Sequence, residues 1–208
     1  DSELSLLLRN INTYGDLSST YKNKKNYSVL SSILYNFKYP LIKENKNNKK
    51  FLTPVASFRF SPNPGLNLKN QNTLITYDDL FGLNRINEKT VETGGALTLG
   101  LEYKNQNLNN KDILNLKLAV NLRDQEDQDL PISSSLNKKT SDIIGFSGVN
   151  ITENLSLNYN FSLEQNLSGT NYSLVSANYD GSKLKTSFEY MEKSKHIGDE
   201  SYFINYTD

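Results

Sequence analysis

Between Asn154 and Glu164 the chain alternates without a break. Leu155, Leu157, Tyr159, Phe161 and Leu163 fall on one side; Asn154, Ser156, Asn158, Asn160, Ser162 and Glu164 fall on the other. A period of two held this long specifies an extended strand with one apolar and one polar face. Its length is informative too. Strands of soluble domains cluster at roughly 5 to 6 residues, whereas roughly 9 to 11 tilted residues cross the apolar layer of an outer membrane.

The same rhythm recurs along the chain. Leu4 to Tyr14 predicts a first strand, and Tyr27 to Tyr39 a second that ends at Pro40. In the next, Pro54, Ala56, Phe58 and Phe60 oppose Val55, Ser57 and Arg59. Asn72 to Leu80 reads as a weak strand. Thr93 to Tyr103 sets Leu97, Leu99, Leu101 and Tyr103 against Thr98, Gly100 and Glu102, and Leu114 to Arg123 sets Leu116, Leu118 and Val120 against Lys117, Ala119 and Asn121. Further strands are expected at Asp142 to Asn150, Asn171 to Tyr179, Ser182 to Tyr190 and Ser201 to Tyr206. Asp180-Gly181 carries the signature of a tight hairpin turn. Short links at Ile151 to Glu153 and Asp180-Gly181 alternate with longer ones at Asp124 to Ser141, Gln165 to Thr170 and Met191 to Glu200, the asymmetry of outer-membrane barrels.

About eleven strand segments follow one another with no helical pattern between them. The expected fold is therefore all-β: an antiparallel transmembrane β-barrel of the outer-membrane type, present as a partial set of about eleven strands. Residues 1–208 read as a fragment of one such barrel domain. On that reading Leu116, Leu118, Leu157, Tyr159 and Phe161 face lipid, while Lys117, Ser156, Asn158, Asn160, Lys183 and Lys185 face the lumen, as do Arg59 and Arg123. A water-soluble sandwich would share the alternation but should use more Val and Ile and shorter strands.

Composition sharpens this. Only 36% of residues are hydrophobic, too few for an ordinary core, yet Tyr and Phe keep their alternating register as they would not in a disordered chain. Lys and Arg (23) balance Asp and Glu (23), which gives no argument for nucleic acid. The absence of cysteine excludes disulfides and thiolate chemistry. No run of 18 apolar residues is present, so no membrane helix is expected.

Catalytic residues, cofactors and metal ligands are not expected. His196 is the lone histidine, in a charged loop. Glu88, Glu92 and Glu102 follow no ligand spacing, and the acidic stretch Asp124, Glu126, Asp127 and Asp129 reads as a solvated loop that could hold Ca²⁺ only weakly. Gly94-Gly95 lies in a strand and precedes no helix, which rules out a phosphate loop.

Three ordered segments carry a family resemblance. Tyr39-Pro40-Leu41 leads through Phe51-Leu52-Thr53-Pro54 to Phe60-Ser61-Pro62-Asn63; Leu80-Phe81-Gly82-Leu83-Asn84-Arg85 is followed by Glu92-Thr93-Gly94-Gly95 and Leu99-Gly100-Leu101; and Ser141-Asp142-Ile143-Ile144-Gly145 follows a serine-rich connection. Over about Tyr35 to Tyr190 this resembles the C-terminal β-barrel region of the LptD family of LPS-assembly (organic solvent tolerance) proteins. The matching positions are Pro54, Pro62, Asn63, Leu80, Phe81, Asn84, Arg85, Glu92, Gly94, Gly100, Ser141, Asp142 and Gly145. Ile86-Asn87-Glu88-Lys89 departs from the family's Gly and Asp-Arg pair, and Ala96 or Thr98 stands where an arginine is usual. The resemblance implies an outer-membrane protein that translocates lipopolysaccharide into the outer leaflet and makes or breaks no bond. It also implies as partners an outer-membrane lipoprotein plug of the LptE type and a periplasmic LPS-transport bridge. The alternatives are a porin or receptor barrel passing small solutes, and a soluble β-rich adhesin.

Overall fold

Alternation distributes side chains to the two faces of a sheet, and here the two faces have opposite fates. The computed structural model describes residues 1–15, 25–63, 65–87 and 90–193. Among these residues are ten strands: β1 (Ser2–Thr13), β2 (Asn26–Lys38), β3 (Leu41–Glu44), β4 (Asn48–Ser61), β5 (Gly94–Asn107), β6 (Asp112–Arg123), β7 (Ile143–Asn150), β8 (Leu155–Leu163), β9 (Thr170–Asp180) and β10 (Lys185–Lys193). They form one antiparallel sheet in the order β1-β2-β4-β5-β6-β7-β8-β9-β10, with β3 paired to β4 alone. Pro54 sits in β4 where its neighbour on one side changes from β2, ending at Lys38↔Val55, to β3, beginning at Leu41↔Leu52. A residue without an N–H is tolerated at that break, where the Tyr39 N–H donates to the Pro54 carbonyl at 3.1 Å.

The sheet is open. Among the described residues β1 pairs with β2 only and β10 with β9 only, leaving two free edges. The transmembrane barrel expected from the alternation, and the β-barrel region expected from the resemblance, are corrected to this open sheet. Closure requires first and last strands to share a ladder at a matching tilt and stagger. A period of two fixes which face a side chain takes and carries no information about that pairing. No helix among the described residues is long and apolar enough to cross a membrane, which says nothing about strands.

Among the described residues the set of strands differs at two places: the short β3 was not expected, and one expected strand is absent. The weak strand expected at Asn72 to Leu80 is instead an irregular segment ending in a one-turn helix, α1 (Tyr77–Leu80). Its cause is local. Thr76 is the N-cap and accepts from the Asp79 N–H, while the Asp79 carboxylate accepts from the Thr76 N–H at 2.8 Å, a reciprocal capping box. Ser201 to Tyr206 and His196 lie outside the described residues. The Asp180-Gly181 hairpin is wider than a two-residue turn. Asp180 still pairs with Lys185, and residues 181–184 make the link, closed by the Gly181 N–H on the Leu184 carbonyl at 2.9 Å.

One face of the sheet is covered by the chain itself. The segments 62–93 and 124–142 bring Ile75, Tyr77, Leu80, Leu130 and Leu136 against Ala119 of β6 and Ile144 of β7. The Tyr172 hydroxyl, from β9, donates to the Ile75 carbonyl at 2.7 Å and fastens the covering segment to the sheet. This small core lies on the face that alternation marks as polar. The apolar face is left bare: Leu6 is 69% exposed, Leu8 78%, Leu118 46% and Phe188 63%.

Candidate functional site

Strand parity sends Arg59 of β4, Thr98 of β5, and Asn121 and Arg123 of β6 to the covered face, where all four are buried. The covering segment supplies Arg85, from the turn after α1, and Glu92, just before β5. Arg85 grips Glu92 with two parallel bonds: its Nε donates to Oε1 and its Nη2 to Oε2 at 2.6 Å. Arg123 Nη1 reaches the same Oε2 at 3.1 Å, and its Nη2 lies 3.5 Å from Asp127 Oδ2. Arg59 spans to the turn, donating to the Leu83 carbonyl at 2.6 Å and to the Gly82 carbonyl. The fork geometry of guanidinium is what allows one carboxylate to be shared in this way.

The cluster is a rivet between the sheet and the segment that covers it. It continues through Arg85 Nη1 to Thr98 Oγ1 (3.4 Å) and from Thr98 Oγ1 to Asn121 Oδ1 (3.1 Å). The Asn121 N–H donates to Ser141 Oγ at 2.9 Å. Ser141 is next to Asp142, a buried carboxylate that accepts from Ser162 Oγ (3.1 Å) and from Asn171 Nδ2 and lies 3.1 Å from Lys138 Nζ. The two buried carboxylates, Glu92 and Asp142, therefore each meet donors or counter-charges from more than one element.

Burial alone would push the Glu92 carboxyl up; the guanidiniums of Arg85, Arg59 and Arg123 outweigh it and hold the group at about 2. The folded value thus lies below the ordinary 4.5. The stabilisation is fully present above the ordinary value and is lost as pH falls from there through the folded one. Unfolding measured across this acid range should show a steep loss of stability, and Glu92→Gln, which cannot titrate, should flatten that part of the profile. An unchanged slope would detach the cluster from acid stability.

Further along the same face, at Glu102 of β5 and Lys117 of β6, lies an open polar cleft of about 320 Å³, lined also by Lys38, Asp78 and Lys104. Glu102 accepts from the Tyr77 hydroxyl at 3.1 Å and from Lys38 Nζ at 3.2 Å. Lys117 Nζ bonds Asp78 at 2.8 Å and lies over the Tyr77 and Phe146 rings. Gly100 makes this wall possible, because a Cβ there would sit 2.7 Å from Phe81 Cζ and 3.0 Å from the Tyr77 hydroxyl.

The structure distributes the motif positions unevenly. Arg85, Glu92, Leu80, Phe81, Gly100, Ser141 and Asp142 converge on the covered face. Asn63, after Pro62, accepts from the Ser31 N–H (2.7 Å) and hydroxyl (2.8 Å), and its carbonyl accepts from Thr93, so it anchors the covering segment at both ends. Gly94 has φ +82° beside the Asp124 carboxylate, which also accepts from the Gly95 N–H. Asn84, by contrast, is exposed on the turn, Pro54 is exposed in β4, and Gly145 lies on the bare face beneath the Phe161 ring. Lys117 is on the covered face; Ser156, Asn158 and Asn160 share the parity of buried Ser162 in β8. Lys185 pairs with Asp180 at 2.9 Å, and Lys183 sits in the link 181–184. Leu116, Leu118, Leu157, Tyr159 and Phe161 take the opposite, bare side.

Sequence spacing did not assign Glu92 a role, because its partners Arg85 and Arg123 stand on different elements. The signal available was the parity of Arg59 and Arg123, arginines on a face flanked by small polar residues. Among the described residues no three acidic or histidine side chains gather to hold a metal ion. The acidic loop instead gives Asp124 to the start of β5 and Asp127 to Arg123.

No curated protein matches this chain. A family model described as LptD, LPS transport system D, matches residues 9–205. That span holds the rivet, its covering segment and nearly all of the sheet, so the chain belongs to the LptD family and is a component of lipopolysaccharide transport rather than an enzyme.

Proposed function

We propose that the chain guides lipopolysaccharide into the outer leaflet of the outer membrane, with acyl chains against the bare face and polar groups against the covered one. One observation carries this reading: a single sheet leaves an apolar face uncovered across its strands while its opposite face holds charge, amide and hydroxyl groups. Its cargo, an amphiphile, divides in the same way. Exposed apolar surface this extensive marks a site for lipid or for another protein. The transport role of the family favours lipid.

On this reading Leu116, Leu118, Leu157, Tyr159 and Phe161 contact hydrocarbon, and Lys117, Ser156, Asn158 and Asn160 line the polar route. The cleft between Lys38 and Lys117 accepts sugar hydroxyls or the side chains of a lipoprotein partner of the LptE type. A periplasmic bridge delivers the lipid. The motif residues act as structure, holding the segment 62–93 against the sheet so that the cleft keeps its shape.

Single spin labels on the intact protein in lipid test the assignment. Labels at positions 118, 157 and 159 should be relaxed by lipid-soluble oxygen, and labels at 117, 158 and 160 by a water-soluble nickel reagent. If all six respond to nickel, or if the first three respond to neither reagent, the bare face is covered by something other than lipid.

A further inference from the structure

The apolar face ends sharply near the tip of the β3–β4 hairpin. Its last apolar row crosses three strands as Leu41, Leu52 and Tyr103, joined by the ladder pairs Leu41↔Leu52 and Leu52↔Tyr103. Leu41 is 47% exposed and Leu52 39%. The next row on the same face is Lys43, Lys50 and Asn105, again direct ladder partners. Two lysines thus stand opposite each other on adjacent strands, where like charges destabilise a sheet. Among the described residues neither ammonium has an ion-pair or hydrogen-bond partner.

Neighbouring lysines are not left this way. Lys49 pairs with Glu44 at 3.6 Å on the opposite face of the hairpin, and Lys38, Lys104 and Lys117 each meet a carboxylate. Strand parity keeps Glu44 away from the opposed pair. The uncompensated charge is therefore confined to the bare side, one row beyond the exposed leucines. We propose that Lys43 and Lys50 hold the phosphate of a phospholipid headgroup at the rim of the bare face, with its acyl chains along Leu41 and Leu52. This rests on the reading that the bare face meets hydrocarbon. A phosphate between the two ammoniums removes their repulsion, and each can donate a charge-assisted bond to a different oxygen. Lysine stems lie along apolar surface while their heads reach the headgroup level, and the Tyr103 hydroxyl stands at the same boundary. Free phosphate would use the charges and gain nothing from the leucines; a phospholipid uses both rows. The hairpin tip then registers the sheet against one leaflet and sets its depth.

The probe is phosphatidylglycerol. The full-length protein, taken from nanodiscs of phosphatidylcholine and phosphatidylglycerol into neutral detergent, should retain phosphatidylglycerol by native mass spectrometry. Lys43→Gln combined with Lys50→Gln should weaken that retention by roughly thirtyfold, the effect of two lysines beside an anionic surface. Lys69→Gln with Lys139→Gln, which removes the same charge from the covering segments, should leave it unchanged. Lys50→Glu separates lipid from fold: unfolding in neutral detergent should shift to higher temperature, since an opposed ion pair replaces two like charges, while retained lipid falls. Equal retention by the parent and the Lys43/Lys50 double variant overturns the proposal. So does full displacement by millimolar inorganic phosphate, which would make this a phosphate site without need of acyl chains, and so does retention of lipopolysaccharide alone. The spin labels at 118, 157 and 159 report on the underlying reading separately. Oxygen relaxation there, with retention indifferent to both lysines, removes the headgroup site and spares that reading; nickel relaxation at all six labelled positions removes both.

Discussion

Glu92→Ala is expected to destabilise the protein by about 3 to 5 kcal/mol, the usual cost of removing one partner from a buried ion pair. The cause is what remains. Arg85 and Arg123 are each about 1% exposed at the side chain, and without Glu92 their charges face each other and Arg59 with only Asp127, at the edge, to offset them. Arg85→Ala should be milder, since Arg123 still pairs with the carboxylate at 3.1 Å. Asn84→Ala, one residue away on the exposed turn, should stay within about 0.5 kcal/mol, as surface substitutions do. Denaturant unfolding and the yield of assembled protein measure the three. Equal losses for Asn84→Ala and Glu92→Ala would mean that the turn itself, and not the ion cluster, holds the covering segment in place. A double-mutant cycle between Glu92 and Arg123 should show coupling beyond additivity, as expected of residues in one network.

The strands were legible because one face of each is uniform. β8, with its unbroken alternation, lies where the pattern puts it, and β6 divides Leu116 and Leu118 from Lys117 and Ala119 as parity requires. Two things were not legible, for different reasons. The segment Asn72 to Leu80 has apolar residues at spacings that suit a strand, but Thr76 and Asp79 satisfy the first backbone donors of a helix, and that local bond decides the conformation. The threonine and aspartate three apart were a readable sign of it. The openness of the sheet was unreadable in principle. Nothing in the alternation of β1 or β10 states whether their outer edges meet, because pairing partners are set by register and tilt over the whole sheet.

The covering segment explains another discrepancy between composition and structure. With 36% hydrophobic residues the chain seemed too polar for a core, and many of the large apolar side chains among the described residues do lie exposed on the bare face. A core exists nonetheless, on the polar face, because the segments 62–93 and 124–142 carry their own apolar residues to Ala119 and Ile144. Around it, buried polar groups replace the missing hydrocarbon: Ser141, Asp142, Asn121 and Thr98 are each within 2% exposure and bonded. Such an interior depends on having its partners present. Arg85, Glu92, Ser141 and Asp142, four of the positions matching the family motifs, lie in this interior, and what each touches is set by other elements of the fold.

Leu118→Arg is expected to cost about 2 to 4 kcal/mol in a bilayer, the penalty for arginine in hydrocarbon on a lipid-facing strand. The comparison that gives this number meaning is Asn158→Arg on β8. Asn158 shares the face of buried Ser162 and stands among Ser156, Asn160 and, across the ladder, Ser176 and Gly148. An arginine there keeps water and polar neighbours, so the change should cost less than about 1 kcal/mol. Leu118 is 46% exposed and its neighbours on the bare face are apolar, with Leu101 directly across the ladder. In water alone, a residue so exposed would tolerate arginine nearly as well as Asn158 does. The two substitutions therefore diverge only if hydrocarbon covers the bare face, and reversible unfolding in lipid, with both variants measured alongside the parent, reads the difference directly. Equal costs at both positions would show that the bare face meets water or a polar partner, and the division of the cargo between the two faces of the sheet would fall with it.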